Sequence, residues 1–211
     1  MVDSAAPDGQ ETTGDALDSG KPRTLNDTLR LMIEWVAVGI VALVIALLIK
    51  AFLVQAFWIP SESMTPTLNI DDRVLVNKLS YRTGDISRGD LVVFEKPDSI
   101  PGSIDDFIKR VIGLPGETIS FVNGDVLIDG VVLAEDYIDE QTRAPLSAIT
   151  SVGCTNTPAP DRCTLAEGYY FMMGDNRSNS TDSRSFGPIA EEEVIGRAFV
   201  KIWPLSDFDW F

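Results

Sequence analysis

From Leu31 to Ile59 the chain runs for 29 residues with only two charges, Glu34 and Lys50, and the 15 residues from Trp35 to Ile49 carry none. Coiled as a helix, this run is about 43 Å long against a hydrocarbon core of roughly 30 Å, so it is long enough to cross a bilayer. Its charges then fall near the two interfaces, where Lys50 can extend its ammonium outward, and Trp35 and Trp58 suit interfacial positions. A buried core helix is the alternative, but no other long helical segment is evident to bury it. A cleavable leader is another, with Val54-Gln55-Ala56 offering a small residue at a possible site. The acidic leader before the run and the apolar Phe57-Trp58-Ile59 beyond it favour an uncleaved anchor.

Residues 1–30 carry Asp3, Asp8, Glu11, Asp15, Asp18 and Asp27 against Lys21, Arg23 and Arg30, with few large apolar residues. That composition predicts a disordered acidic tail. Basic residues before the span, with only Lys50 and then Arg73 soon after it, favour a cytoplasmic N-terminus. The expected arrangement is a tail over 1–30, a transmembrane helix over 31–59 and an extracytoplasmic domain over 60–211. The net charge of −15 argues against a nucleic-acid partner, which requires a basic surface.

Cys154 and Cys163, the only two cysteines, bracket the loop Thr155 to Arg162. In an exported domain this pair reads as a disulfide. Two free thiols are the alternative, and a metal site would need further ligands in a chain without histidine.

After Pro60 short β-rich segments replace the helical run: Arg73 to Asn77, Asp90 to Glu95, Phe107 to Ile112, Thr118 to Val122, Tyr169 to Met173 and Arg197 to Trp203. Asn123-Gly124 and Asp129-Gly130 predict two-residue hairpin turns. The fold expected is all-β, an antiparallel-sheet domain preceded by one transmembrane helix. Residues 134–168 are poorer in strand pattern and read as a smaller elaboration holding the cysteine loop.

Within Phe107-Ile108-Lys109-Arg110-Val111-Ile112, alternate residues share a face, so Lys109 and Arg110 point opposite ways and one of them must meet an apolar surface. Ser63 lies four residues beyond Ile59. With no imidazole available, a base for such a serine would have to be another group, and a lysine kept neutral by burial fits that need. Taken singly, a lysine in a strand is ordinarily solvated at its tip.

Four ordered blocks carry a resemblance. Pro60-Ser61-Glu62-Ser63-Met64-Thr65-Pro66-Thr67-Leu68 resembles the nucleophile box of the bacterial type I signal peptidases, membrane-bound Ser/Lys proteases that release exported proteins from their leaders. Asp72 to Lys78 is similar to the second block, Phe107 to Gly116 to the lysine box, and Gly174 to Arg184 to the fourth. The resemblance covers roughly residues 31–205. It implies Ser63 as nucleophile and Lys109 as general base, with the Ser63 N–H and the Ser61 hydroxyl as oxyanion donors. It further implies that Ser180 orients the lysine amine and that Asp182 and Arg184 form an ion pair shaping the last block. Phe57, Ile59, Met64, Leu68 and Ile108 are implied as the lining of shallow pockets for a small-x-small (A-x-A) leader end; each is equally a candidate for ordinary core. The expected partners are signal-peptide-bearing preproteins and the lipid bilayer, with no cofactor, no metal and no nucleic acid. The expected location is the bacterial cell membrane, single-pass, with the catalytic domain outside.

Two rivals stand beside this reading. Self-cleaving repressor-type Ser/Lys proteases need an Ala-Gly or Cys-Gly bond and lack a span, and this chain has neither bond. A membrane-tethered β-rich binding protein without activity would differ by showing no cleavage.

Overall fold

The computed structural model describes residues 25–143, 154–155 and 162–211. Helix α1, Leu25–Phe52, includes a stretch Thr28–Leu47 with mean hydropathy 2.2, long and apolar enough to cross a membrane, and its side chains are exposed. This corrects two expected boundaries. Residues 25–30, read as tail, already belong to the helix, while 1–24 lie outside the described residues. The helix also ends before Ile59: Val54–Trp58 forms strand β1, paired antiparallel with β2, Arg73–Asn77. The reason is local chemistry meeting a distant partner. Val54, Phe57 and Trp58 are β-favouring residues, Pro60 bars helix beyond, and β2 supplies the hydrogen bonds that a sequence window cannot see.

Beyond the helix the polypeptide is built from two antiparallel sheets. The larger contains β1, β2, β3 (Leu91–Glu95), β4 (Asp106–Gly113), β9 (Tyr169–Met173), β10 (Ile189–Ala190), β11 (Val194–Trp203) and β12 (Asp209–Trp210). Its order is β1-β2-β11-β3-β4-β9-β10, with β12 also on β11. The smaller is ordered β7-β6-β5-β8, from β5 (Thr118–Val122), β6 (Asp125–Ile128), β7 (Val131–Val132) and β8 (Arg162–Thr164). Both predicted hairpin turns are present: Asn123-Gly124 joins β5 to β6 and Asp129-Gly130 joins β6 to β7, each with positive φ at both positions.

The elaboration expected over 134–168 therefore takes in more chain, since the small sheet starts at Thr118. Among the described residues of 134–143 there is no strand; 144–153 and 156–161 lie outside them. Cys154 and Cys163 are joined as a disulfide, with Cys163 on β8.

Alternation explains how few strands serve three cores. On β3, Leu91 and Val93 face one apolar cluster and Val92 and Phe94 another, so this strand is buried on both faces. On β9, Phe171 and Met173 enter the cluster shared with the small sheet, while Tyr170 and Met172 point the other way. The cluster containing Leu91 and Val93 also holds Ile59, Met64 and Leu68, which makes it the floor under Ser63.

Candidate active site

Ser63 lies in a single 3₁₀ turn, Glu62–Met64, inside a loop that leaves β1 and returns to β2. Hydrogen bonds close the loop at its neck, from Ile59 N–H to the Asp72 carbonyl (2.9 Å) and from Asp71 N–H to the Ile59 carbonyl (2.9 Å). Met64 and Leu68 anchor it from below by complete burial. The serine is thus set on a short, stitched loop whose apolar residues point inward.

Lys109 comes from the middle of β4, and its Nζ is 2.6 Å from Ser63 Oγ. Only 4% of this lysine is exposed, and it is flanked by the Phe107 ring at 5.4 Å and the Ile108 carbonyl at 3.0 Å. Burial drives its pKa down to about 8; the carboxylates of Asp182 and Asp175 pull the other way, and the Arg184 charge adds to the lowering. The burial-driven fall is what makes a free amine accessible near neutral pH. Arg110, on the opposite face, avoids the apolar conflict by pairing with Asp175: Nε to Oδ1 is 2.8 Å and Nη2 to Oδ2 is 2.6 Å, with Tyr137 stacked at 4.1 Å. Both charges of the strand are thereby accommodated, one by desolvation and one by an ion pair.

The wall opposite comes from the loop after β9. Asn176 N–H donates to the Ser63 carbonyl (3.1 Å) and Asn176 Nδ2 to the Glu62 carbonyl (3.1 Å), strapping this loop to the Ser63 turn. Asp182 accepts from Gly174 N–H (3.0 Å) and is gripped by Arg184 through Nε–Oδ1 and Nη2–Oδ2 contacts of 2.7 Å each. Arg184 also donates to the Arg177 carbonyl at 2.8 Å, so one carboxylate and one guanidinium hold both ends of the turn. Gly174 is a position of forced close approach, because an added Cβ would overlap Ser180 Oγ and the Ser63 carbonyl oxygen.

These parts border a cleft of about 460 Å³ that Ser61, Ser63, Lys109, Ser180, Phe57, Ile59 and Ile108 all line. Ser61 Oγ is 3.3 Å from Ser63 Oγ. Ser180 Oγ is buried and makes no hydrogen bond, so the bond to the lysine amine implied by the resemblance is not formed in this conformation. Met64 and Leu68, implied as pocket lining, are instead core residues below the cleft, since the inward face of the loop is occupied by the apolar floor.

The sequence reading overlooked the supports: Arg110 with Asp175, and Arg177 with Glu135. Arg177 donates through Nη1 to Glu135 Oε2 (2.9 Å) and through Nε to the Gly174 carbonyl (3.1 Å). Asp175 and Arg177 sit in the fourth block, which was the available signal; Glu135, in strand-poor chain, offered none.

The geometry can be set beside known proteins. The profile of the family described as "Signal peptidase, peptidase S26" matches residues 32–203. A probable signal peptidase I-2 of Synechocystis sp. is 39% identical over 176 residues, covering 81% of this chain and 74% of that protein. Signal peptidase IB of Staphylococcus aureus is 33% identical over 183 residues, covering 85% and 93%. A crystal structure of a signal peptidase I from Enterococcus faecalis aligns with a TM-score of 0.41 at 31% identity, covering 54% of this chain and 96% of that one. A match over most of the length, at this identity, leaves one assignment: the chain belongs to the peptidase S26 family of signal peptidases.

Proposed function

We propose that this membrane-anchored serine peptidase releases N-terminal signal peptides from exported preproteins by a Ser/Lys dyad, Ser63 attacking and Lys109 serving as general base. The observation that carries the reading is the 2.6 Å contact between Lys109 Nζ and Ser63 Oγ, made by a lysine whose pKa burial lowers to about 8. As an ammonium the nitrogen donates to Oγ; once neutral it accepts the hydroxyl proton across the same contact.

In the forward step Ser63 Oγ bonds to the carbonyl carbon of the leader's last residue while its proton passes to Lys109. The oxyanion is held by the Ser63 N–H and the Ser61 hydroxyl, donors of the kind that stabilise charge as it develops. The C–N bond then breaks, the departing amine of the mature protein takes the proton from Lys109, and an acyl-enzyme remains. Lys109 next takes a proton from water as the water oxygen attacks the ester carbonyl; the acyl C–O bond then breaks, Ser63 Oγ takes the proton back from Lys109, and the leader is freed. Ser180, whose Oγ is buried on the same wall and free of other hydrogen bonds, would orient the neutral amine.

Strand edges support an extended substrate. β1 is an edge strand of its sheet, and β4 pairs with β3 from Asp106 on, whereas β9 joins its other side only from Arg110. The free stretch Asp106–Lys109 and β1 both border the cleft. A peptide laid along such edges gains main-chain hydrogen bonds, and its alternate side chains face one way. Phe57, Ile59 and Ile108 would leave room for small alternate residues, which fits an A-x-A end. The basic residues before α1 support a cytoplasmic N-terminus, and so a catalytic domain outside the cell membrane. The test is cleavage of a preprotein with an A-x-A leader by the detergent-solubilised full chain beside Ser63→Ala and Lys109→Ala. Release at the A-x-A junction by the parent protein alone is expected. Equal release by the Lys109 variant removes it as base, and no release by any folded form rejects the reading.

A further inference from the structure

A second lysine is buried near the nucleophile loop and has no part in the chemistry. Lys201, on β11, is 4% exposed although Val200 and Ile202 beside it are apolar. Its Nζ lies 2.6 Å from Asp207 Oδ2, 3.6 Å from Asp72 Oδ2 and 3.4 Å from the Thr67 carbonyl. Burying an ammonium is costly, and only charged partners and remaining acceptors offset that cost. Asp207 is half-exposed, whereas Asp72 is 3% exposed, so the Asp72 contact is the dry one.

Those partners belong to the loop that carries Ser63. Asp72 is its last residue: its carbonyl accepts from Ile59 N–H, and its Oδ2 accepts from Asn69 N–H at 2.8 Å. Thr67 is held on its other side by its hydroxyl, which donates to Asp175 Oδ2 at 2.5 Å. Lys201 therefore meets the 59–72 loop both at its neck and at Thr67. The loop after the nucleophile is thus pinned from two directions, by β11 and by the loop that follows β9.

We propose that Lys201 is a positioning residue for the reaction, acting through Asp72 and Thr67 to hold the nucleophile loop in register with Lys109. The inference rests on Ser63 being the nucleophile. A displacement of Ser63 by a fraction of the Ser63–Lys109 contact would lower the rate of attack, while the β1 and β4 edges proposed to bind the substrate main chain belong to the sheet and not to this loop; misplacements near 1 Å cost about 10²-fold. Lys201 does not touch the cleft, so its loss should fall on kcat and leave KM nearly unchanged.

The experiment uses the full chain in detergent with an A-x-A preprotein and compares Lys201→Met, Lys201→Arg and Asp72→Asn, each with an unfolding curve. Lys201→Met is expected to lower kcat by about 10- to 100-fold with KM within about threefold, Lys201→Arg to regain most of the rate, and Asp72→Asn to lose as much as Lys201→Met. The double variant is expected to be no worse than either single one, because residues acting through one contact do not add. A kcat within twofold of the parent in folded Lys201→Met overturns the proposal; if that variant does not fold, Asp72→Asn is judged by the same criterion. Ser63→Ala is assayed alongside: activity surviving there refutes the nucleophile assignment itself, a result separable from any effect at Lys201.

Discussion

The hydroxyl of Ser180 rests directly on Gly174, at a separation that no side chain at 174 would allow. The Ser63 carbonyl oxygen closes over the same glycine. Gly174→Ala therefore has to push apart the Ser63 turn and the loop opposite. We expect a fall in kcat of about 10²-fold with the sheets intact, read by steady-state cleavage and far-UV circular dichroism.

As the proposed base, Lys109 is expected to set the pH dependence of cleavage. Its pKa lies near 8 in the fold against an ordinary 10.5, so kcat/KM should rise with pH through about 8 as the amine becomes free. Stability follows the same protonation state, because the neutral amine is also the form that burial tolerates. Below about 8 both folded and unfolded chains hold the proton, and the penalty for burying the ammonium is fully present. Between about 8 and 10.5 the unfolded chain binds more protons, so stability rises with pH, and above 10.5 the penalty has gone. Lys109→Met is accordingly expected to be inactive and, at pH 7, more stable by up to roughly 3 kcal/mol. Denaturant midpoints at pH 7 and pH 10 check this, with the gain shrinking at the higher pH.

Ser61 stands 3.3 Å from Ser63 Oγ at the mouth of the cleft. If Ser61 is one of two oxyanion donors, as proposed, Ser61→Ala should cost about 10² to 10³ in kcat with little change in KM. A loss confined to KM would instead make Ser61 a substrate contact.

Glu135 and Arg177 form an ion pair with side chains only 6% and 3% exposed. Removing one partner strands the other charge in a dry site, so Glu135→Ala should lose about 3–5 kcal/mol of stability. Urea unfolding with an unchanged slope is the measurement. Arg177 also holds the Gly174 carbonyl, so some loss of kcat should accompany the lost stability.

Local signals were read well where one short stretch of chain determines the outcome. Asn123-Gly124 and Asp129-Gly130 each place two positive-φ positions in a two-residue loop, and the strands beside them follow. The alternation in Phe107-Ile108-Lys109-Arg110-Val111 required one of two charges to meet an apolar surface without deciding which, and it is Lys109 that is buried. Where two distant stretches decide together, local pattern failed. Val54–Trp58 looks like the end of an apolar helix until β2 pairs with it, and Met64 and Leu68 look like pocket lining until the floor of β2, β3 and β11 claims them.

By itself the sequence determined the anchor's apolar length, the strand-and-turn rhythm after Pro60, and the four blocks containing Ser63 and Lys109, because periodicity, turn conformation and residue chemistry are local properties. The tertiary structure alone decided that β4 and the turn at Glu62–Met64 meet, bringing Nζ and Oγ to 2.6 Å. It also decided that Lys109 is dry, that Arg110 finds Asp175 and that Lys201 reaches Asp72. Desolvation and ion pairing depend on everything packed around a group, and those neighbours come from strands far apart in the chain.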